Sequence, residues 1–195
     1  MVKNQEKMLL HTCCAPCAIF VVQQLVEHYD LTIFFYNPNI QPDQEYQKRK
    51  AEVVNWAQKI NIKIVESDYD VASWQQIING HEDDHEGGGR CSLCFQLRLS
   101  KTAEYAQQHN YDIFTTTMSI SPHKNAVVLN GIGEQASKEW QIKYLPADWK
   151  KQDGFKKAVV LSKEANFYRQ DYCGCLYSLQ ESKSRRTLKE KYEII

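Results

Sequence analysis

Two patterns alternate along the chain: short apolar runs, and longer stretches whose apolar residues recur at helical spacing. The runs Lys7–Thr12, Leu31–Tyr36, Ile62–Glu66, Tyr111–Met118 and Ile142–Leu145 read as five strands. Leu31–Tyr36 is almost continuously apolar, as in strands buried on both faces of a parallel sheet. Helices are expected between the strands. The first carries Ile19, Phe20, Val22, Leu25 and Val26 within Ala18–His28, with Pro16 suited to its opening turn. A polar helix capped by Asp43 runs to Ile60, and a short one covers Asp70–Ile78. Further helices are expected over Ser92–His109, Asn125–Lys138, Lys156–Gln170 and Ser178–Tyr192. Ser121-Pro122 breaks the fourth strand, and the acidic, then glycine-rich stretch His81–Arg90 is expected to be a mobile loop.

Strands alternating with helices give an α/β fold, a Rossmann-like doubly wound parallel sheet. One domain is expected over residues 1–195, with 176–195 a helical C-terminal extension; there is no internal repeat and no clear linker. In such sheets ligands bind beyond the carboxyl ends of the strands. The loops after the first, second and fourth strands are therefore the places to look for chemistry.

Charge adds little: 24 Lys+Arg balance 24 Asp+Glu. That balance gives no argument for nucleic-acid binding, though a local basic face is compatible with it. Lys183, Arg185, Arg186, Lys189 and Lys191 form such a face on the final helix; it reads first as an ordinary exposed helix with Glu partners, and second as an RNA contact. No run reaches the roughly 18 apolar residues of a membrane span. The opening Met1–Lys7 has no long apolar core, so a secretory signal is not expected and the chain reads as cytoplasmic.

Cysteine changes the picture most. All seven fall into three clusters: Cys13, Cys14 and Cys17, then Cys91 and Cys94, then Cys173 and Cys175. Cysteines kept only for packing would be scattered, and disulfides are rare in a cytosolic setting. The clusters suggest one site where thiolates bind metal, with the first on the loop after the first strand. Neighbouring side chains of an extended segment point apart, so Cys13 and Cys14 are expected to serve two adjacent centres. The helix opening at Pro16 favours thiolates there. Four thiolates complete a [4Fe–4S] cluster or a zinc site, and the remaining three can hold a second metal with an open position. A purely structural zinc site and a dithiol redox pair are the competing readings. His81-Glu82-Asp83-Asp84-His85 formally matches a zinc-protease motif, but that motif needs a stable helix, which this acidic stretch does not promise. No phosphate-binding glycine loop, flavin motif or nicotinamide motif is present.

The segment Leu10-His11-Thr12-Cys13-Cys14-Ala15-Pro16-Cys17 resembles the opening signature of the epoxyqueuosine reductase family QueH. The likeness continues through Tyr36-Asn37-Pro38-Asn39-Ile40, Glu45-Tyr46 with Arg49, Arg90-Cys91-Ser92-Leu93-Cys94-Phe95 with Arg98, Thr116–Pro122, and Phe167–Ser178. The resemblance implies removal of the epoxide oxygen of epoxyqueuosine at the wobble position of tRNA, without cobalamin. It implies a [4Fe–4S] cluster beside a second, mononuclear metal, iron, and a fold of the nucleotide-hydrolase (HUP) branch of Rossmann-like domains.

Epoxide to alkene needs two electrons, with the oxygen leaving as water. A cluster moves electrons singly, and a metal with an open site can bind the oxygen. On this reading Cys13, Cys91, Cys94 and Cys173 hold the cluster, and Cys14, Cys17 and Cys175 the second metal. Tyr36, Glu45 and Tyr172 are the catalytic candidates, with Asp171 and Tyr46 as further proton carriers. Asn37, Tyr46, Arg49, Arg90, Arg98 and Lys124 are candidate substrate or phosphate contacts. The plain alternative for these residues is structural: tyrosines ending strands, arginines paired with carboxylates. An external electron donor of ferredoxin or flavodoxin type is expected. The rival functions are a zinc-bound RNA-interaction module and a thiol–disulfide oxidoreductase.

Overall fold

The computed structural model describes residues 5–192, with side chains to residue 188. Its strands are β1 (Lys7–His11), β2 (Asp30–Phe35), β3 (Lys63–Glu66), β4 (Ile113–Thr116) and β5 (Lys143–Tyr144). They form one parallel sheet in the order β3-β2-β1-β4-β5. The helices are α1 (Ala15–Leu25), α2 (Asp43–Lys59), α3 (Val71–Ile77), α4 (Gly89–Gln108), α5 (Ala126–Trp140), α6 (Gly154–Glu164) and α7 (Leu176–Tyr192).

Alternation along β1 builds both halves of the core. Met8 and Leu10 pack with Ala18, Val22, Val53 and Ala158 of α1, α2 and α6. Leu9 points the other way, to Ala103 and Ala106 of α4 and Ala136 of α5. Each of these three β1 side chains is fully buried, contributing about 1.5–3 kcal/mol apiece. β1 is also the strand at which the chain order reverses, so the loop leaving it sits at the sheet's switch point. Among the described residues no helix is long and apolar enough to cross a membrane.

Several boundaries move for local reasons. Pro42 occupies the N-cap of α2, and Asp43 is its first helical residue, where its charge suits the helix dipole. Helix α6 ends at Glu164 because Asn166 takes a left-handed conformation, φ 57°. The fourth strand is shorter than its apolar run, and Met118–Ile120 forms a turn of 3-10 helix instead.

The stretch 81–90 is a built turn, contrary to the expected mobile loop. Arg90 is 2 % exposed. Its guanidinium donates to the carbonyls of Glu82 (2.7 Å) and Asp84, and to Glu181 Oε1 on α7 (3.0 Å). The Arg90 N–H donates to Asp84 Oδ2 at 2.8 Å. Helix α4 consequently begins at Gly89, taking Arg90 and Cys91 into its first turn. His81–His85 is turn rather than helix, which removes the protease-like motif.

Candidate metal centre

The backbone leaves β1 at His11 and enters α1 within four residues. Cys14 is the N-cap of α1, extended at φ −165°, ψ 153°. The change of direction at that cap brings neighbouring side chains together. Cys13 and Cys14 sulfurs lie 3.8 Å apart, and the sulfurs of Cys13, Cys14 and Cys17 all lie within 4.8 Å of one another. The expectation that Cys13 and Cys14 point apart rested on regular strand geometry, which has already ended here.

Three thiols this close, two of them buried, cannot all ionise without a cation. Hydrogen bonds from Cys14 and Cys17 hold the Cys13 thiol well below the usual range. The same contacts push Cys17 well up and Cys14 up to about 12.

The other four cysteines gather where α4 meets the 173–175 loop. Cys91 and Cys94 stand three residues apart on α4, and Cys173 and Cys175 on the loop entering α7. Cys94 and Cys175 share one packed cluster with Trp74 and Ile78. Burial pushes the Cys91 thiol up to about 11, opposed by the Gly87 N–H at 3.2 Å and reinforced by Cys173, Cys94 and Cys175. All seven cysteines are free thiols.

Two cations face them. Arg98 is 1 % exposed, and the charges of Cys94, Cys13 and Cys173 outweigh the burial that opposes its own. Lys124 is half-buried, and Cys173, Cys13 and Cys17 hold its ammonium above the usual range against the same opposition. A cavity of about 270 Å³ opens onto Cys13, Cys17 and Cys173, walled by Pro16, Ile120, Lys124, Phe155, Gln170, Asp171 and Tyr172. A smaller one, about 80 Å³, reaches Cys91 and Cys173 past Lys124.

Residues 8–181 match a family described as "Epoxyqueuosine reductase QueH". This chain belongs to that family. It is 41 % identical over 195 residues to the epoxyqueuosine reductase QueH of Haemophilus influenzae, covering 98 % of this chain and 80 % of that one. It is 40 % identical to the QueH of Acinetobacter baylyi, covering 92 % and 83 %. Among solved structures it is similar to the U34-tRNA thiolase NcsA from Methanococcus maripaludis with its [4Fe-4S] cluster. That likeness has a TM-score of 0.56 at 16 % identity and covers 97 % and 68 % of the two chains, a likeness of fold. As a QueH-family protein the chain is an oxidoreductase of the epoxyqueuosine-reducing type.

In this QueH-family chain the residues expected at the site fall into two sets. Lys124, Asp171 and Tyr172 line the larger cavity. Of the others, Glu45, Arg49, Asn37 and Arg98 hold the loops that carry the thiols. Glu45 accepts from Arg49 Nε at 2.7 Å and from the Tyr168 hydroxyl at 3.1 Å. Arg49 also donates to the carbonyls of Cys173 (2.9 Å) and Tyr172 (3.4 Å). Tyr172 donates its hydroxyl to Gln41 O at 2.8 Å. Asn37 donates to Thr12 O at 2.9 Å and accepts from Arg98 at 2.7 Å, tying the first cysteine loop to α4. Tyr46 stacks on Tyr69 with ring centroids 3.8 Å apart, and Tyr36 packs in the core on the α4 side; burial pushes both phenols up to about 12. Arg90 is engaged by the 81–90 turn and lies over the Tyr177 ring.

The basic face of α7 is partly spoken for. Arg185 pairs with Glu86 at 3.2 Å and Arg186 with Asp171. Lys189 and Lys191 lie outside the residues whose side chains are described.

Three neighbours of the thiols were not singled out by sequence. His11, within the signature, is fully buried and bridges three strands. Its Nε2 contacts Tyr36 O at 3.2 Å and its Nδ1 the Thr116 hydroxyl at 3.0 Å. A carbonyl only accepts, so Nε2 carries the proton and Nδ1 accepts from Thr116. Burial, then Arg98, pushes its pKa down to about 3, so the ring stays neutral. Gln170 donates to Cys14 at 3.1 Å. The Trp74 indole packs against Cys94. His11 and Gln170 sit inside the family motifs; for Trp74 a lone tryptophan in a short helix gave no signal.

Proposed function

We propose that this enzyme removes the epoxide oxygen of epoxyqueuosine in the wobble position of tRNA, with a [4Fe–4S] cluster on Cys91, Cys94, Cys173 and Cys175 and a second metal, iron, on Cys13, Cys14 and Cys17. The observation that carries this reading is the division of the seven thiols into three that meet within 4.8 Å and four around α4 and the 173–175 loop. On this reading Cys13 belongs to the second metal and Cys175 to the cluster, the reverse of the division expected from the sequence. The trio fits one metal ion: tetrahedral thiolates at about 2.3 Å from a metal stand about 3.8 Å from each other, and Cys13 and Cys14 are 3.8 Å apart. Thiolates on separate irons of a cubane stand farther apart. Three ligands also leave the open position that a reactive metal needs.

When bound, the metal centres supply two electrons, one at a time, and a Lewis-acid site for the departing oxygen. The protein's own residues do the rest. Tyr172, whose phenol burial pushes up to about 12, stays protonated at neutral pH and serves as a proton source at the cavity wall, while Asp171 is held as a carboxylate by Arg186. Two protons complete the water that leaves. Lys124 and Arg98 balance the thiolate charge, and Lys124 reaches the substrate from between the two cavities. Pro16, Ile120 and Phe155 keep the wall apolar, which strengthens those charges. Glu45 and Arg49 act on the 172–175 loop as positioning residues. The sheet order supports the nucleotide-hydrolase branch of Rossmann-like folds, with the cysteine loop at the position of the phosphate loop. Electrons come from an external carrier of ferredoxin or flavodoxin type, in the cytoplasm.

The test is anaerobic purification with iron, sulfide and zinc analysis, followed by turnover of epoxyqueuosine-containing tRNA with a chemical reductant. The expected protein is brown and holds more iron than the four atoms of one cluster. A colourless, zinc-only protein, made anaerobically with iron supplied, overturns the proposal.

A further inference from the structure

We infer that Gln170 is a positioning residue for the metal held by Cys13, Cys14 and Cys17: its amide N–H, bonded to the Cys14 sulfur, makes that metal more electrophilic. The inference rests on the second-metal reading above.

Gln170 Nε2 lies 3.1 Å from the Cys14 sulfur, across 156 residues of sequence. Cys14 is 1 % exposed, so water hardly competes for that sulfur. A metal-bound thiolate has no proton and can only accept. The amide must therefore turn its N–H to the sulfur, as found here, and its oxygen away. That oxygen is sealed from solvent without a partner. Leaving a buried acceptor unsatisfied costs stability, so the residue is poorly explained as a stabiliser of the fold. It is well explained as a donor to sulfur. An N–H directed at a thiolate draws charge off the sulfur and weakens its donation to the metal, which raises the metal's attraction for an oxygen ligand. Gln170 also lies on the segment that carries Asp171, Tyr172 and Cys173 into the cavity wall. Movement of that wall on substrate binding would be felt at Cys14 through this bond.

The test uses cobalt(II) in place of the second metal. Anaerobically reconstituted protein is cleared of its second metal with a mild chelator and titrated with Co2+, and the thiolate-to-cobalt charge-transfer band is read by difference absorption. Loss of the band in Cys17→Ser assigns it to the trio. Gln170→Leu, and Gln170→Glu as a variant that keeps the side-chain shape, remove the N–H. Both are expected to shift the band to longer wavelength, because the sulfur electrons are no longer held down by the hydrogen bond. Weaker binding without the shift is the mark of a merely structural residue and overturns the inference, as does an unchanged band and affinity. A wild-type protein in which the trio gives no cobalt band overturns the second-metal reading, and this inference with it.

Discussion

The two thiol groups are built by different means. Cys13, Cys14 and Cys17 belong to one turn, where the central strand of the sheet runs into α1. Their meeting needs little beyond the end of β1 and the cap of α1. Cys91, Cys94, Cys173 and Cys175 come from two distant segments. Their meeting depends on buried polar clamps: Arg49 gripping the carbonyls of Tyr172 and Cys173, and Arg90 joining the 81–90 turn to Glu181 of α7. A local site is secured by the sheet, whereas an assembled one is secured by whatever holds its two halves. The two groups should therefore fail separately.

Arg49→Leu should separate them most. It removes a buried cation from Glu45 and frees two carbonyls, a change that costs about 3–5 kcal/mol when one partner of a buried pair is lost. The denaturation midpoint should fall accordingly, and the cluster's iron and sulfide should be lost while the trio still binds Co2+. Equal loss at both groups would show that they are not independent. Gly174→Ala strikes the same half with less force. Gly174 has φ +146°, and an added Cβ would lie 3.1 Å from Ile40 Cγ1 and 3.4 Å from an Arg49 nitrogen. The strain is about 1–3 kcal/mol, read as a lower urea midpoint together with reduced cluster content.

This difference also explains what could be read before the structure. The five strands, the parallel α/β plan and the cysteine clusters were legible because they follow from apolar runs and from spacing. Assignment within the clusters was not. Regular strand geometry separates Cys13 from Cys14, but Cys14 is a helix cap, and caps are set by a few dihedral angles that periodicity does not report. The arginines were legible as important without their direction being so. Arg49 and Arg90 turn inward to carbonyls of loops whose course only the fold fixes. Glu45 looked like an acid for the same reason: nothing in its neighbourhood along the chain reveals Tyr168, which takes its second oxygen.

The opposite half of the comparison is tested by His11→Phe. It leaves the Thr116 hydroxyl and the Tyr36 carbonyl buried without their imidazole partner, at about 1–3 kcal/mol. Its effect should fall on the trio, as weaker Co2+ binding with the cluster's iron and sulfide retained. Loss of the cluster with the trio intact would reverse the proposed dependence.

Trp74→Phe should change stability least and still report on the assembled group. Trp74 is 1 % exposed and packs with Ile78, Cys94 and Cys175. Its indole N–H has no conventional acceptor. Burial raises the pKa of the Cys94 thiol, and Arg98 and this N–H both work against the rise. Phenylalanine keeps much of the ring and deletes only the donor. Hydrogen bonds to cluster sulfurs favour the reduced, more negative state, so their loss lowers the reduction potential. A potentiometric titration of the reconstituted variant should therefore give a more negative midpoint, with Co2+ binding at the trio unchanged. An unmoved midpoint would make Trp74 a packing residue. It would leave Arg98 as the buried group best placed to set the potential of the cluster, a role that Arg98→Met would then expose by the same titration.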